Sequence, residues 1–257
     1  MRFIVMHKMG PRYFTNQIEQ REIIEMTAFI QDAIKQGVFT NGAGLLPSAK
    51  RTRLILKDGQ LTRKDGPYPG TNELVSGFAL LKVADREEAV RWGERFARAI
   101  GDCELELGRV TEAWDLGFVP KPEGKVPERY LCIVLANEAS ESGEPPSERE
   151  RREVTALMQD MIRAGVVELV EGILPSREGT RLHFKAGKKV ATLDGPFAET
   201  KEFIAGFSII QVPSKEAALA WAERYGAILT DLEVDVLKLH DEAAFDGKNR
   251  DSFAEGR

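Results

Sequence analysis

KDGPYPGTNELVSGFALLKV at 64–83 and LDGPFAETKEFIAGFSIIQV at 193–212 are two copies of one text, set 129 residues apart. Working outward, GLLPS at 44–48 matches GILPS at 172–176, and TRL at 52–54 matches TRL at 180–182, each with an offset of 128. Trp92 matches Trp221 inside EEAVRWGERF and EAALAWAERY. One such match arises by chance, but an ordered series in near-constant register does not. The chain is a tandem duplication of a unit of roughly 120 residues.

Each copy reads as the same series of elements. FIVMHK (3–8) and YLCIVLA (130–136) are short apolar runs suited to a first strand. In the second copy Val154, Leu157, Met158, Met161 and Ile162 fall on one face of a 3.6-residue period, which predicts a helix. Ser147 with Glu150 three residues on is a capping-box pattern, and Gly37 and Gly165 stand where the first helices stop. Strands follow at RTRLIL and TRLHF and at LVSGFALLKV and FIAGFSIIQV, with the middle region split as a hairpin. A second helix starts near Asp85 or Ser214 and ends near Gly101 or Gly226, and CELELGRV or LEVDVLKL closes the unit. The order β-α-β-β-α-β is ferredoxin-like. A sheet with helices on one face needs a cover on the other. The expected fold is therefore α+β: two ferredoxin-like repeats packed sheet to sheet, an intramolecular pseudo-dimer of the dimeric α+β barrel type. The expected boundaries are 1–114 for the first repeat, 115–128 for a Pro- and Gly-rich linker, 129–242 for the second repeat and 243–257 for a polar tail.

Composition narrows the function. Of 257 residues, 36 are Lys or Arg against 41 Asp or Glu; the net charge of −5 argues against a nucleic-acid binder held by phosphate neutralisation. No apolar stretch approaches the roughly 20 residues that span a bilayer, and MRFIVMHKMGPRYF has too short an apolar run for a secretory signal. With only Cys103 and Cys132, a disulfide framework or Cys-rich zinc site is excluded, and the expectation is a cytoplasmic protein without cofactor. There is no P-loop, GxGxxG or GxSxG pattern.

LDGPFAETKEFIAGF, with VEGILPS and TRL before it and the acidic closing strand after it, resembles the signature of the DGPF, or YCII-related, domain family. The likeness covers both copies. It implies a ferredoxin-like α+β fold that associates through its sheets. For activity it implies cofactor-free chemistry by a His/Asp pair on small ring compounds, or a regulatory module linked to an extracytoplasmic-function sigma factor. The first copy departs from the pattern: Gly70 and Asn72 stand where the second has Glu199 and Lys201. The second repeat is thus the better candidate for a working site.

Strand alternation assigns faces. Leu54 and Leu56, with Leu182 and Phe184, read as the face on the helices; Arg53, or Arg181 with His183, belongs to the other. On the closing strands Leu105, Leu107, Val234 and Val236 read as core, and Glu104, Glu106, Glu233 and Asp235 share the arginine face. A cleft so lined would orient an anionic small molecule and move a proton; the plainer alternative is a charge-paired seam. Asp194 and His183 are the catalytic candidates, and Arg181, Glu199, Lys201 and Glu202 the binding candidates. Arg53, Asp65 and Glu73 are their first-repeat counterparts. Asp-Gly-Pro is equally turn chemistry, and Phe197 reads as an apolar anchor. His7, on an apolar alternation, reads as a buried hydrogen-bonded histidine, and His240 as surface. A monomer with an internal pseudo-dimer and a homodimer both satisfy the pattern.

Overall fold

A computed structural model describes residues 1–9, 19–67, 74–197, 203–229, 231–241 and 245–246. The first repeat runs β1 (Arg2–Met9), α1 (Gln20–Lys35), β2 (Phe39–Gly44), β3 (Thr52–Lys57), β4 (Gln60–Asp65), β5 (Val75–Val83), α2 (Arg86–Ile100) and β6 (Cys103–Arg109). The second runs β7 (Glu128–Leu135), α3 (Glu138–Ser142), α4 (Glu148–Ala164), β8 (Val167–Gly172), β9 (Thr180–Lys185), β10 (Lys188–Asp194), β11 (Phe203–Gln211), α5 (Lys215–Ile228) and β12 (Leu232–Lys238). A two-residue strand, β13 (Phe245–Asp246), follows. The chain has the α+β class of a tandem ferredoxin-like pseudo-dimer, each repeat following the βαββαβ order with one hairpin, β3–β4 or β9–β10, inserted after its second strand.

The sheets are not each made by one repeat. One has the order β10-β9-β12-β1-β11-β2, the other β13-β8-β5-β7-β6-β3-β4, and adjacent strands pair antiparallel. Strand β1 of the first repeat lies between β12 and β11 of the second, while β7 lies between β6 and β5 of the first. Two compact units result: one joins β1, α1 and β2 to β9–β12 and α5, the other joins β3–β6 and α2 to β7, β8 and α4. The repeats at 1–114 and 129–242 are units of sequence, and each compact unit draws on both.

Local chemistry explains the elements. At α4, Ser147 accepts from the Glu150 N–H and the Glu150 side chain returns to Ser147, while Gly165 ends the helix at φ 68°. Asp85 and Ser214 cap α2 and α5 by accepting from the N–H groups of Glu88 and Ala217. Gly101 ends α2 as expected, but α5 continues past Gly226 to Ile228. Gly226 is there for space: a Cβ would lie 2.3 Å from Phe184 Cε2. In the first repeat the corresponding residues are Leu56 and Ala97, a smaller strand residue facing a larger helix residue. The polar stretch 137–148 holds the short α3, capped by Asn137, and within the polar tail Phe245 and Asp246 pair with Val170 and Leu169 of β8.

The helix-facing side of each sheet is apolar, as the alternation predicted. Leu54, Leu56, Leu105 and Leu107 pack with Ala89, Val90 and Ala97 of α2 and with Leu157, Met158 and Met161 of α4. Leu182, Phe184, Val234 and Val236 pack with Phe3 and Val5 of β1 and with Ala218, Ala222 and Tyr225 of α5. The opposite faces are removed from water too: Ile4, Met6, Phe207 and Leu237 in one sheet, and Leu80, Leu131 and Ile133 in the other, are buried.

The β3–β4 and β9–β10 hairpins turn on Asp58-Gly59 and Ala186-Gly187, all four at positive φ, which matches the twist of a two-residue hairpin. Asp102 and Asp231 accept from the N–H groups of Asp58 and Ala186 and fix these turns. At the other end of each hairpin the Asp-Gly-Pro segment lies against the Leu-Pro-Ser segment. The Gly195 N–H donates to the Gly179 carbonyl at 3.2 Å, and the Phe197 N–H donates to Ser176 Oγ at 3.2 Å. A Cβ on Gly66 or Gly195 would sit 1.8 Å from the carbonyl oxygen of Ser48 or Ser176. The two motifs recur together because each is the other's packing partner. Gly195→Ala is expected to cost more than about 3 kcal/mol by urea denaturation, because backbone has to move. Gly117→Ala, with nothing within 4 Å at φ 75°, costs only left-handed strain of roughly 1–2 kcal/mol; equal losses would refute the steric explanation.

Candidate functional site

The pairing of β9 with β12 sets Arg181 opposite Asp235 and His183 opposite Glu233. Cross-strand neighbours on one face touch, so the four side chains form one charged group. Arg181 Nε and Nη2 donate to the Asp235 carboxylate at 2.6 and 2.9 Å. Lys8 Nζ, from the neighbouring β1, lies 2.7 Å from Asp235 Oδ2, and all three side chains are buried. Glu233 lies 3.4 Å from Arg181 Nε and 3.6 Å from His183 Nδ1. Exposure rises outward through the group: Glu233 is 15% accessible and His183 35%. The imidazole is where the group meets solvent. Phe197, which follows the Asp-Gly-Pro turn, places its ring 4.5 Å from the Arg181 guanidinium carbon, a cation–π contact that holds the guanidinium plane.

The first repeat builds a parallel group with different members. Glu106 accepts from Arg51 Nη1 at 2.7 Å and Arg53 Nη2 at 2.6 Å, and Arg53 Nη1 reaches Glu104 at 3.0 Å. Ile55 takes the place of His183, so this copy lacks the imidazole. Burial alone would push the carboxyls of Asp235 and Glu106 up, but their paired cations outweigh it and hold both below the usual carboxylate range.

Asp194 does not join His183. On β10 it pairs with Thr180, whose hydroxyl donates to Asp194 Oδ1 at 2.6 Å, and Lys215 at the start of α5 stands 3.6 Å away. Thr180 alternates with Arg181, so Asp194 is on the helix-facing side of the sheet and Arg181 with His183 on the other. The Thr180 hydrogen bond, and then the Lys215 charge, lower its pKa, which makes it a poorer proton acceptor. Asp65 repeats the arrangement, accepting from Thr52 at 2.8 Å and Arg86 at 2.6 Å. In both copies this aspartate clips a hairpin end to the second helix. Glu73, Glu199, Lys201 and Glu202 lie outside the described residues.

Two participants escaped the sequence reading, Lys8 and Arg51. Both had a signal: Lys8 ends the run FIVMHK, and Arg51 opens the run RTRLIL two residues from Arg53, on the same face. His7 is buried as expected, its Nδ1 2.7 Å from the Tyr225 hydroxyl, and His240 is exposed. Burial pushes the thiols of Cys103 and Cys132 up to about 12, so neither is a nucleophile at neutral pH. Among the described residues no three His, Cys, Asp or Glu side chains converge as metal ligands, and no helix is long and apolar enough to cross a membrane.

The comparison with known proteins agrees with the fold. The chain matches the YCII-related domain model over residues 1–102 and 129–238, and it belongs to that family. It is similar to an uncharacterized protein of Rhizobium meliloti (strain 1021), with 33% identity over 92 residues, covering 36% of this chain and 73% of that protein. No solved structure matches it.

Because the folded-state pKa values of Asp235 and Glu106 are depressed, the unfolded chain binds protons more readily. Their contribution to stability is complete above the unfolded values, roughly 3.9 and 4.3, and is lost as pH falls towards the folded ones. Urea midpoints should fall steeply below about pH 4, and Asp235→Asn should lower the midpoint at pH 7 and flatten that acid limb. An acid limb unchanged by the substitution would refute the assignment. A thiol reagent at pH 8 should leave both cysteines unmodified in folded protein and label both in urea.

Proposed function

We propose that the outer part of this group, in the second repeat, is a small-molecule site where His183 gives or takes a proton. The observation that supports it is the graded burial of Asp235, Arg181, Glu233 and His183, which leaves one partly exposed imidazole at the end of a fixed chain of charges. Glu233 orients the ring, and Arg181, held by Asp235 and Phe197, fixes Glu233. In this reading Glu233 is the carboxylate partner in place of Asp194. Arg181 positions rather than binds, because its guanidinium is buried.

Charge counting favours an anionic ligand. With His183 protonated, the group has three cations, Lys8, Arg181 and His183, against Asp235 and Glu233; with His183 neutral it is balanced. The protonated site therefore attracts an anion, and the imidazolium passes its proton to that anion and returns to the balanced neutral form. The reaction class is proton transfer on a small anionic or ring-containing molecule, carried by side chains alone. Ile55 in the first repeat supports one such site per chain.

A thermal-shift screen of carboxylates, phosphates and hydroxylated aromatics tests this. A ligand at about 100 times its dissociation constant adds about 2.7 kcal/mol, a shift of several degrees. The expected hit disappears in His183→Ala and weakens in Glu233→Gln, yet survives in Asp194→Asn. A hit that survives His183→Ala would overturn the proposed site, and a panel without hits would favour a protein-interaction module, with a sigma factor as the first partner to try.

A further inference from the structure

Each sheet is completed by strands from the other repeat. Because the repeats are homologous, the second repeat's β9–β12 sheet has three available partners: the β1–α1–β2 segment of the first repeat, its own β7–α4–β8 segment, or that segment from a second copy of the chain. We infer that the placement of the buried cations decides between them.

In the first unit, Asp235 is neutralised by resident Arg181 and by incoming Lys8. In the second, Glu106 is neutralised by Arg53 and Arg51, both on the resident side. The registers Met6↔Asp235 and Glu106↔Ile133 make Leu135 the counterpart of Lys8, so the strand that enters the second sheet brings no cation to Glu106; its one cation, Arg129, pairs with Glu112. The repeat alignment makes Gly179 the counterpart of Arg51. Thr52 pairs with Leu107 and Thr180 with Val236, which sets Arg51 beside Gly108 and Gly179 beside Leu237. A Cβ on Gly179 would lie 2.5 Å from Leu237 Cδ2. Large residue and glycine have changed places across the ladder: one resident sheet has room for its second cation, and the other does not.

Pairing like with like miscounts the charge. Two second repeats would leave Asp235 with Arg181 alone, because Leu135 would stand in the place of Lys8. Two first repeats would press Lys8 towards Glu106, which Arg51 and Arg53 already neutralise. Glu104 and Glu233 occupy equivalent positions and leave the difference unchanged. A buried carboxylate short of a cation, and crowded like charges, are both strongly unfavourable. The mismatch therefore discriminates against the wrong partner as well as stabilising the right one. The cation code makes the first repeat, rather than β7–α4–β8 of the same chain or of a second copy, the partner of the β9–β12 sheet.

The test moves the cation within the full-length chain. Lys8→Leu should lower the urea midpoint. The triple variant K8L/G179R/L237G writes the first repeat's arrangement into the second, and should recover more than half of that loss. Two results would each overturn the proposal: a midpoint unaffected by K8L, or a triple variant no more stable than K8L. Where K8L gives no folded protein, the triple variant decides alone, a folded one supporting the code and an unfolded one overturning it.

Discussion

A carboxylate at the middle of a sheet, out of reach of water, has to be neutralised where it stands. Asp235 and Glu106 meet that constraint in the same way, each between two cations, and much of the architecture follows from it. Removing one partner from such a group costs about 3–5 kcal/mol, because a charge is left buried and uncompensated. In the first unit the second cation is Lys8, which the chain supplies from the other repeat. That sheet is therefore electrostatically incomplete without β1, whatever apolar area β1 also buries.

The duplicated motifs serve this frame more than they serve chemistry. Asp-Gly-Pro and Leu-Pro-Ser are conserved between the copies as a mutually packed pair, with no space for a Cβ on the glycine and with the aspartate clipped to a threonine and to the first turn of the following helix. The Phe that follows in the second copy steadies Arg181. What differs between the copies is more telling about function. His183 stands where the first repeat has Ile55. The hydrogen-bonded His7 and Tyr225 stand where the other unit has Val134 and Phe96. Both polar additions fall in the first unit, which gives the duplication one chemically distinctive half.

Much was legible without coordinates because it depends on local spacing. Alternation separated Leu182 and Phe184 from Arg181 and His183, and it put Glu233 and Asp235 with the latter pair, because side chains two apart on a strand share a face. Capping chemistry located the starts of α2, α4 and α5 for an equally local reason: a serine or aspartate oxygen reaches an N–H only a few residues away. Gly226 misled because a glycine near a helix end signals a stop, while packing against Phe184 makes the same demand for a missing Cβ.

The sequence by itself determined the duplication, the order of elements, the faces of the strands and the face that each arginine shares with its carboxylates. Only the tertiary structure decided which repeat's strands complete which sheet, that Lys8 and Arg51 are the second cations, and that Asp194 lies across the sheet from His183. The physical reason is degeneracy. Two homologous repeats present near-identical hydrophobic patterns, so periodicity cannot choose between self-pairing and exchange. The choice rests on a few buried charges and on glycine–leucine complementarity between strands far apart in the chain, and these meet only when it is folded.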